Sequence, residues 1–154
     1  ILGEGSSSRL FQEVREKLGI TYQINSFINS FSDTSTFGVY FSTNNKQVDK
    51  VLNVLSKEFN KVRNIKVSDK ELKRVKEYLK GSTYLSLEGK TNRMIRAASS
   101  VLYFNRIIPV ENFVERVDAT TSDDIIKLAN EVLKEETLTK IFIRSIKTDL
   151  KKAA

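Results

Sequence analysis

The spacing of apolar residues changes several times along the chain, and each change marks an element. From Leu10, apolar side chains recur at Phe11, Val14 and Leu18, one, four and eight positions on, while Glu13, Glu16 and Lys17 fall between them. That pattern predicts an amphipathic helix with Arg15 at the border of its two faces. Ser6, Ser7 and Ser8 precede it with hydroxyls suited to the free N–H groups of a helix start, and Gly19 can take the left-handed conformation that ends one. The helix is therefore expected between about Ser7 and Leu18. The period then drops to two: Ile20, Tyr22, Ile24 and Ile28 share one side of a half-buried strand. Ser32-Asp33-Thr34-Ser35 supplies turn chemistry, and Phe37, Val39 and Phe41 alternate again, which predicts a β-hairpin.

From Lys46 the helical period returns. Val48, Val51, Leu52, Leu55, Phe59 and Val62 define a long amphipathic helix, with Asn44 or Asn45 as its cap. Ser68-Asp69-Lys70-Glu71 has capping-box spacing and opens a second helix running to about Glu88. Gly89 interrupts it before a stripe of Met94, Ile95, Ala98, Val101 and Leu102. Pro109 suits the first turn of a short helix through Val117, and Thr121-Ser122-Asp123-Asp124 opens another that carries Ile125, Ile126, Ala129, Val132 and Leu133. Thr139–Ile146 reads as a closing strand. Together these elements predict a single α+β domain over residues 1–154, an antiparallel sheet with helices packed on one face.

Composition narrows the chemistry. Residues that are 40% hydrophobic and 29% charged exclude a disordered chain, and no apolar run approaches the roughly 20 residues needed to cross a bilayer. There is no cysteine, so disulfides and thiolate chemistry are excluded and the compartment stays open, with cytoplasm the default and mitochondria the alternative. There is also no histidine, so Ser-His-Asp, Cys-His and His-based zinc constellations are excluded within the chain. The net charge of +7 raises nucleic acid as a partner. Because Lys and Arg are interleaved with acids along helical faces, a solvated surface is the better reading, and neither nucleic acid nor a membrane is expected to bind.

Leu2, Gly3, Gly5, Ser7, Ser8, Arg9, Leu10, Phe11, Arg15, Glu16, Lys17, Gly19 and Tyr22 fall in order on a hallmark of one peptidase family. The stretch resembles the second, zinc-free half-domain of the pitrilysin/insulinase zinc metallopeptidases, which include the mitochondrial processing peptidases. Glu4, where glycine is usual, and Thr21, where alanine is usual, depart from it. The resemblance is densest over residues 2–22 and extends more weakly to about residue 145. It implies half of a clamshell that closes around a peptide, with zinc held by the other half and none here. It further implies that Arg15 and Tyr22 contact the substrate and the oxyanion formed during hydrolysis. The expected partners are a catalytic zinc-binding half and a peptide, and the chain alone is expected to be inert. A non-catalytic scaffold or partner subunit of the same family is the alternative. Such half-domains begin with a further strand and helix, so the chain reads as a fragment lacking both, whose exposed edge would favour a homodimer.

Other candidates have simpler explanations. Arg9 suits a structural ion pair and Ser7 and Ser8 suit caps. Gly3 and Gly5 lack the strand and lysine of a phosphate-binding loop. Nothing in the sequence brings Asp33 to Glu88 as a carboxylate pair. Phe27 and Phe31, placed by alternation on the strand face opposite Tyr22, could meet apolar substrate side chains or pack under a helix.

Overall fold

Alternation over residues 20–43 does produce a hairpin. The computed structural model describes residues 1–144. In it β1 (Thr21–Ser30) pairs antiparallel with β2 (Ser35–Thr43). Ile24, Ser26 and Ile28 lie opposite Phe41, Val39 and Phe37. Val39 and Phe41 pack with Ile24 against Val51 and Leu55 of α1 (Val48–Asn64), and Leu10 and Val14 complete this cluster from the helix that precedes the hairpin. Leu10, Val14 and Val51 are fully buried. Removing a side chain of this kind costs about 2–5 kcal/mol, which makes this cluster the structural base for residues 10–24. A second cluster of Val62, Ala129 and Leu133, joined by Phe37 and Phe59, seats α5 (Ser122–Val132) on α1.

Two further helices, α2 (Asp69–Ser86) and α4 (Val110–Ala119), contact one another, and α3 (Lys90–Phe104) links them. The fold class is thus the expected one, α+β with an antiparallel sheet. Local signals set most helix ends. Thr121 and Asp124 form a reciprocal capping box at α5, Pro109 immediately precedes α4, and Asn44 Oδ1 accepts from Lys46 N at 3.1 Å in the turn that leads into α1.

Three expectations fail for identifiable reasons. Serine hydroxyls do not cap the first helix: Arg9 N and Leu10 N donate to the carbonyls of Ile1 and Leu2, at 2.9 and 2.8 Å. The chain before Gly3 runs close enough for its backbone to do this work, so Ser8 is buried with its Oγ lacking a partner among the described residues. The box at Ser68 is only half formed. Ser68 Oγ accepts from Glu71 N, but the Glu71 carboxylate turns to Arg9, since two parallel bonds from a guanidinium outweigh a single bond from a backbone N–H. No closing strand forms over Thr139–Arg144, because a strand needs a partner and this segment reaches no sheet edge; Ser145 and Ile146 lie outside the described residues.

Candidate functional site

Arg15 and Tyr22 stand on either side of one sharp change of backbone direction. Phe11–Lys17 is a π-helix, wider than an α-helix, with its Val14 and the preceding Leu10 facing the core. Helices of this kind often occur at functional sites. Gly19 ends it at φ +61°, with Gly19 N donating to Arg15 O at 3.0 Å and Ile20 N to Val14 O at 3.3 Å. Nothing lies within 4 Å of a Cβ built on Gly19, so the glycine is required by the left-handed backbone alone.

The strand that follows does not alternate as its sequence suggests. Thr21 pairs with Thr43, but Gln23 pairs with Ser42, so Tyr22 is the extra residue of a β-bulge. Thr21 and Ile24 are both buried, and the two residues between them both face solvent. Tyr22 is 91% exposed as a result. This corrects the expectation that Tyr22 shares a face with Ile24. Phe27 is not on the face opposite Tyr22 either, because the bulge shifts Tyr22 onto the outward side where Phe27 and Tyr40 also lie. Phe31 lies just beyond the end of β1, exposed.

Two threonine hydroxyls hold the bulge. Thr43 Oγ1 donates to Ile20 O, and Thr21 Oγ1 lies within donating distance of Gln23 O, at 2.8 Å, and of Ser42 O. Their bonds satisfy carbonyls at the point where the ladder is interrupted. Alternation alone offered no sign of this, and Thr21 entered the sequence reading only as a departure from the usual alanine. The signal that was available is a polar residue on each strand at the same end of the hairpin.

Arg15 is partly engaged. Its guanidinium carbon lies 4.6 Å from the centre of the Phe11 ring, and Nε is 3.9 Å from Glu16 Oε1, with 43% of the side chain exposed. No hydrogen bond or ion pair joins Arg15 to Tyr22 among the described residues, and the Tyr22 hydroxyl has no hydrogen-bond partner there. An arrangement of one planar cation and one outward phenol suits contacts to carbonyl oxygens supplied by another molecule.

Arg9 anchors this region. Nε and Nη2 donate to Glu71 Oε1 and Oε2 at 2.9 and 2.8 Å, with side chains 19% and 18% exposed. The bond to Arg9 holds the Glu71 carboxyl below its ordinary range, and the same bond raises the Arg9 guanidinium. Arg74 Nη2 adds a bond to Ser7 O at 3.1 Å. Arg9 is thus a structural ion-pair partner, as its sequence context suggested. Asp33 lies between the two strands and Glu88 between α2 and α3, and neither side chain makes an ion pair or hydrogen bond among the described residues.

With neither histidine nor cysteine in the sequence, and with no group of three or more Asp or Glu among the described residues placed to hold a metal, those residues do not fit a zinc ion.

Residues 1–79 match a family profile described as the peptidase M16 inactive domain. A protein of Streptomyces coelicolor named an uncharacterized zinc protease is 39% identical over 132 residues, which covers 86% of this chain and 29% of that protein. One from Rickettsia felis, named in the same way, is 32% identical over 141 residues, or 92% of this chain and 34% of its own length. The chain therefore spans about a third of the length of these relatives. The crystal structure of a peptidase M16 inactive domain from Pseudomonas fluorescens has a similar fold, with a TM-score of 0.72 at 24% identity over 87% of this chain and 32% of the other. The residues that carry the pitrilysin/insulinase resemblance lie inside the matched stretch, which is half of the 154-residue sequence, and on that match the chain belongs to the M16 peptidase family as its inactive domain.

Proposed function

We propose that this chain is the substrate-contacting, zinc-free half of a zinc-dependent metalloendopeptidase and is inert alone. The relatives' names supply the chemistry class, and since these residues do not fit zinc, the metal belongs to a second, catalytic half. The observation that carries the reading is the bulge, which turns Tyr22 out of the core at the end of the helix that bears Arg15. Bulges re-aim side chains beside active sites. A phenolic O–H donates to a carbonyl oxygen as it gains negative charge, and a guanidinium holds neighbouring carbonyls of an extended peptide.

The test uses the full-length protein with its zinc-binding half. A well-aimed oxyanion donor is worth about 10²–10³ in kcat, and other donors to the same oxygen remain in Tyr22→Phe, so the expected fall is about ten- to a hundredfold with KM little changed. Arg15→Ala is expected to raise KM as well, because it also contacts bound substrate. An unchanged kcat/KM in Tyr22→Phe, with fold and zinc content intact, would refute the role and leave the chain as a scaffold or pairing subunit.

A further inference from the structure

We infer that the outward face of the hairpin is a subsite selecting uncharged, extended peptide segments, with Phe27 and Tyr40 as its aromatic contacts. This rests on the reading of the chain as a substrate-contacting half. Tyr22 and the outward pairs Gln23–Ser42, Asn25–Tyr40, Phe27–Gly38 and Asn29–Thr36 make nine positions, which at the chain's 29% charged fraction would hold about three charges; they hold none, and Asp33, the one charged residue from Thr21 to Thr43, lies in the turn. Strands disfavour lysine and glutamate only mildly, so a solvated sheet face in a chain of net charge +7 would still carry some, whereas a face that meets neutral peptide would not. A charged peptide side chain laid there would lose water without gaining a counter-ion.

The register makes that face specific. Gln23, Asn25 and Asn29 project from β1 on the side opposite Ile24, and none of their side-chain amides makes a hydrogen bond among the described residues. Asn25 is paired with Tyr40, which is 54% exposed. Phe27 is paired with Gly38, and a Cβ built on Gly38 would stand 2.4 Å from the Phe27 ring. The ring therefore lies flat across the glycine, held in place with 44% of the residue still exposed. Rigid aromatics interleaved with adaptable amides are the composition of surfaces that bind peptides and proteins at low entropic cost. Tyr22, turned outward by the bulge, continues the same face.

The experiment measures equilibrium binding to the full-length protein, so it does not depend on turnover. The probes are a fluorescein-labelled peptide built only of Ser, Asn, Val and Tyr, and two versions with a central Lys or Glu. The wild type is expected to bind the neutral probe best, and Phe27→Ala to weaken that binding about five- to tenfold. Asn25→Asp should shift preference towards the Lys probe and Asn25→Lys towards the Glu probe, each about three- to fivefold, the size of an exposed charge pair. Such opposed gains cannot come from misfolding. Equal binding of all three probes by the wild type, or unchanged preference in both Asn25 variants, overturns the inference. So does a concentration-dependent dimer that Asn25→Lys disrupts without any change in probe preference, since the face would then serve a second copy. A preserved charge preference beside an unaffected Tyr22→Phe enzyme would instead refute the catalytic role alone.

Discussion

The Arg9–Glu71 pair offers a quantitative test of how the π-helix is held in place. Its two bonds of 2.9 and 2.8 Å are bidentate, and less than a fifth of either side chain is exposed. Fully exposed pairs contribute about 0.2–1 kcal/mol, whereas removing one partner of a buried pair costs about 3–5 kcal/mol. This pair lies between those limits, and the parallel bond from Arg74 to Ser7 O remains after it is cut. We expect Arg9→Ala or Glu71→Ala each to cost about 2 kcal/mol locally, with a coupling of about 1 kcal/mol in the double-mutant cycle. The assay is hydrogen exchange in the intact protein at the amides of Arg9, Leu10 and Gln12, which donate to Ile1 O, Leu2 O and Ser8 O. Local opening there should become about thirtyfold more frequent in either single variant, since about 1.4 kcal/mol is tenfold. Acid should mimic the mutation. The Glu71 carboxyl titrates below its ordinary 4.5 when folded, so between the folded and unfolded values the unfolded chain binds more protons. The pair's contribution is then complete above about 4.5 and fades as pH falls through the folded value, and Glu71→Gln should abolish that dependence. Unchanged protection in Arg9→Ala, or a coupling below about 0.3 kcal/mol, would refute the anchoring role.

Thr21→Val keeps the shape but removes the hydroxyl that reaches Gln23 O and Ser42 O. It should cost about 1–2 kcal/mol in β1 exchange protection and lower kcat in the active protein by loosening Tyr22. Gly19→Ala meets no atom within 4 Å, so its cost of about 1–2 kcal/mol in denaturant unfolding would measure the left-handed backbone alone. The chain studied alone exposes Leu102 at 80% and Phe104 at 62% on α3, and sedimentation should show concentration-dependent association that Leu102→Glu weakens.

Legibility in the sequence followed the range of the interactions. Helices α1 to α5 were readable because apolar spacing and caps such as Thr121 with Asp124 act within a few residues. Family membership was readable because Gly5 to Tyr22 must meet several local demands at once: a helix, a left-handed stop and a strand. Arg15 and Tyr22 were nameable on the same ground. Their setting was not. The first helix takes its N-terminal acceptors from Ile1 and Leu2 rather than from serine, and Glu71 leaves its cap for an arginine 62 residues away.

The bulge marks the division most sharply. A period of two is a local rule, and from it Tyr22 belongs with Ile24 in the core. Where a strand gains an extra residue is settled instead by its partner, here by Thr43 and Ser42 of β2 and the hydroxyls of Thr21 and Thr43. The sequence by itself determined the helices, the hairpin and the residues that carry the resemblance, because neighbouring residues encode them. Only the tertiary structure decided that Tyr22 faces solvent beside a charge-free sheet surface, because register is a property of two strands and of the core that one of their faces must bury.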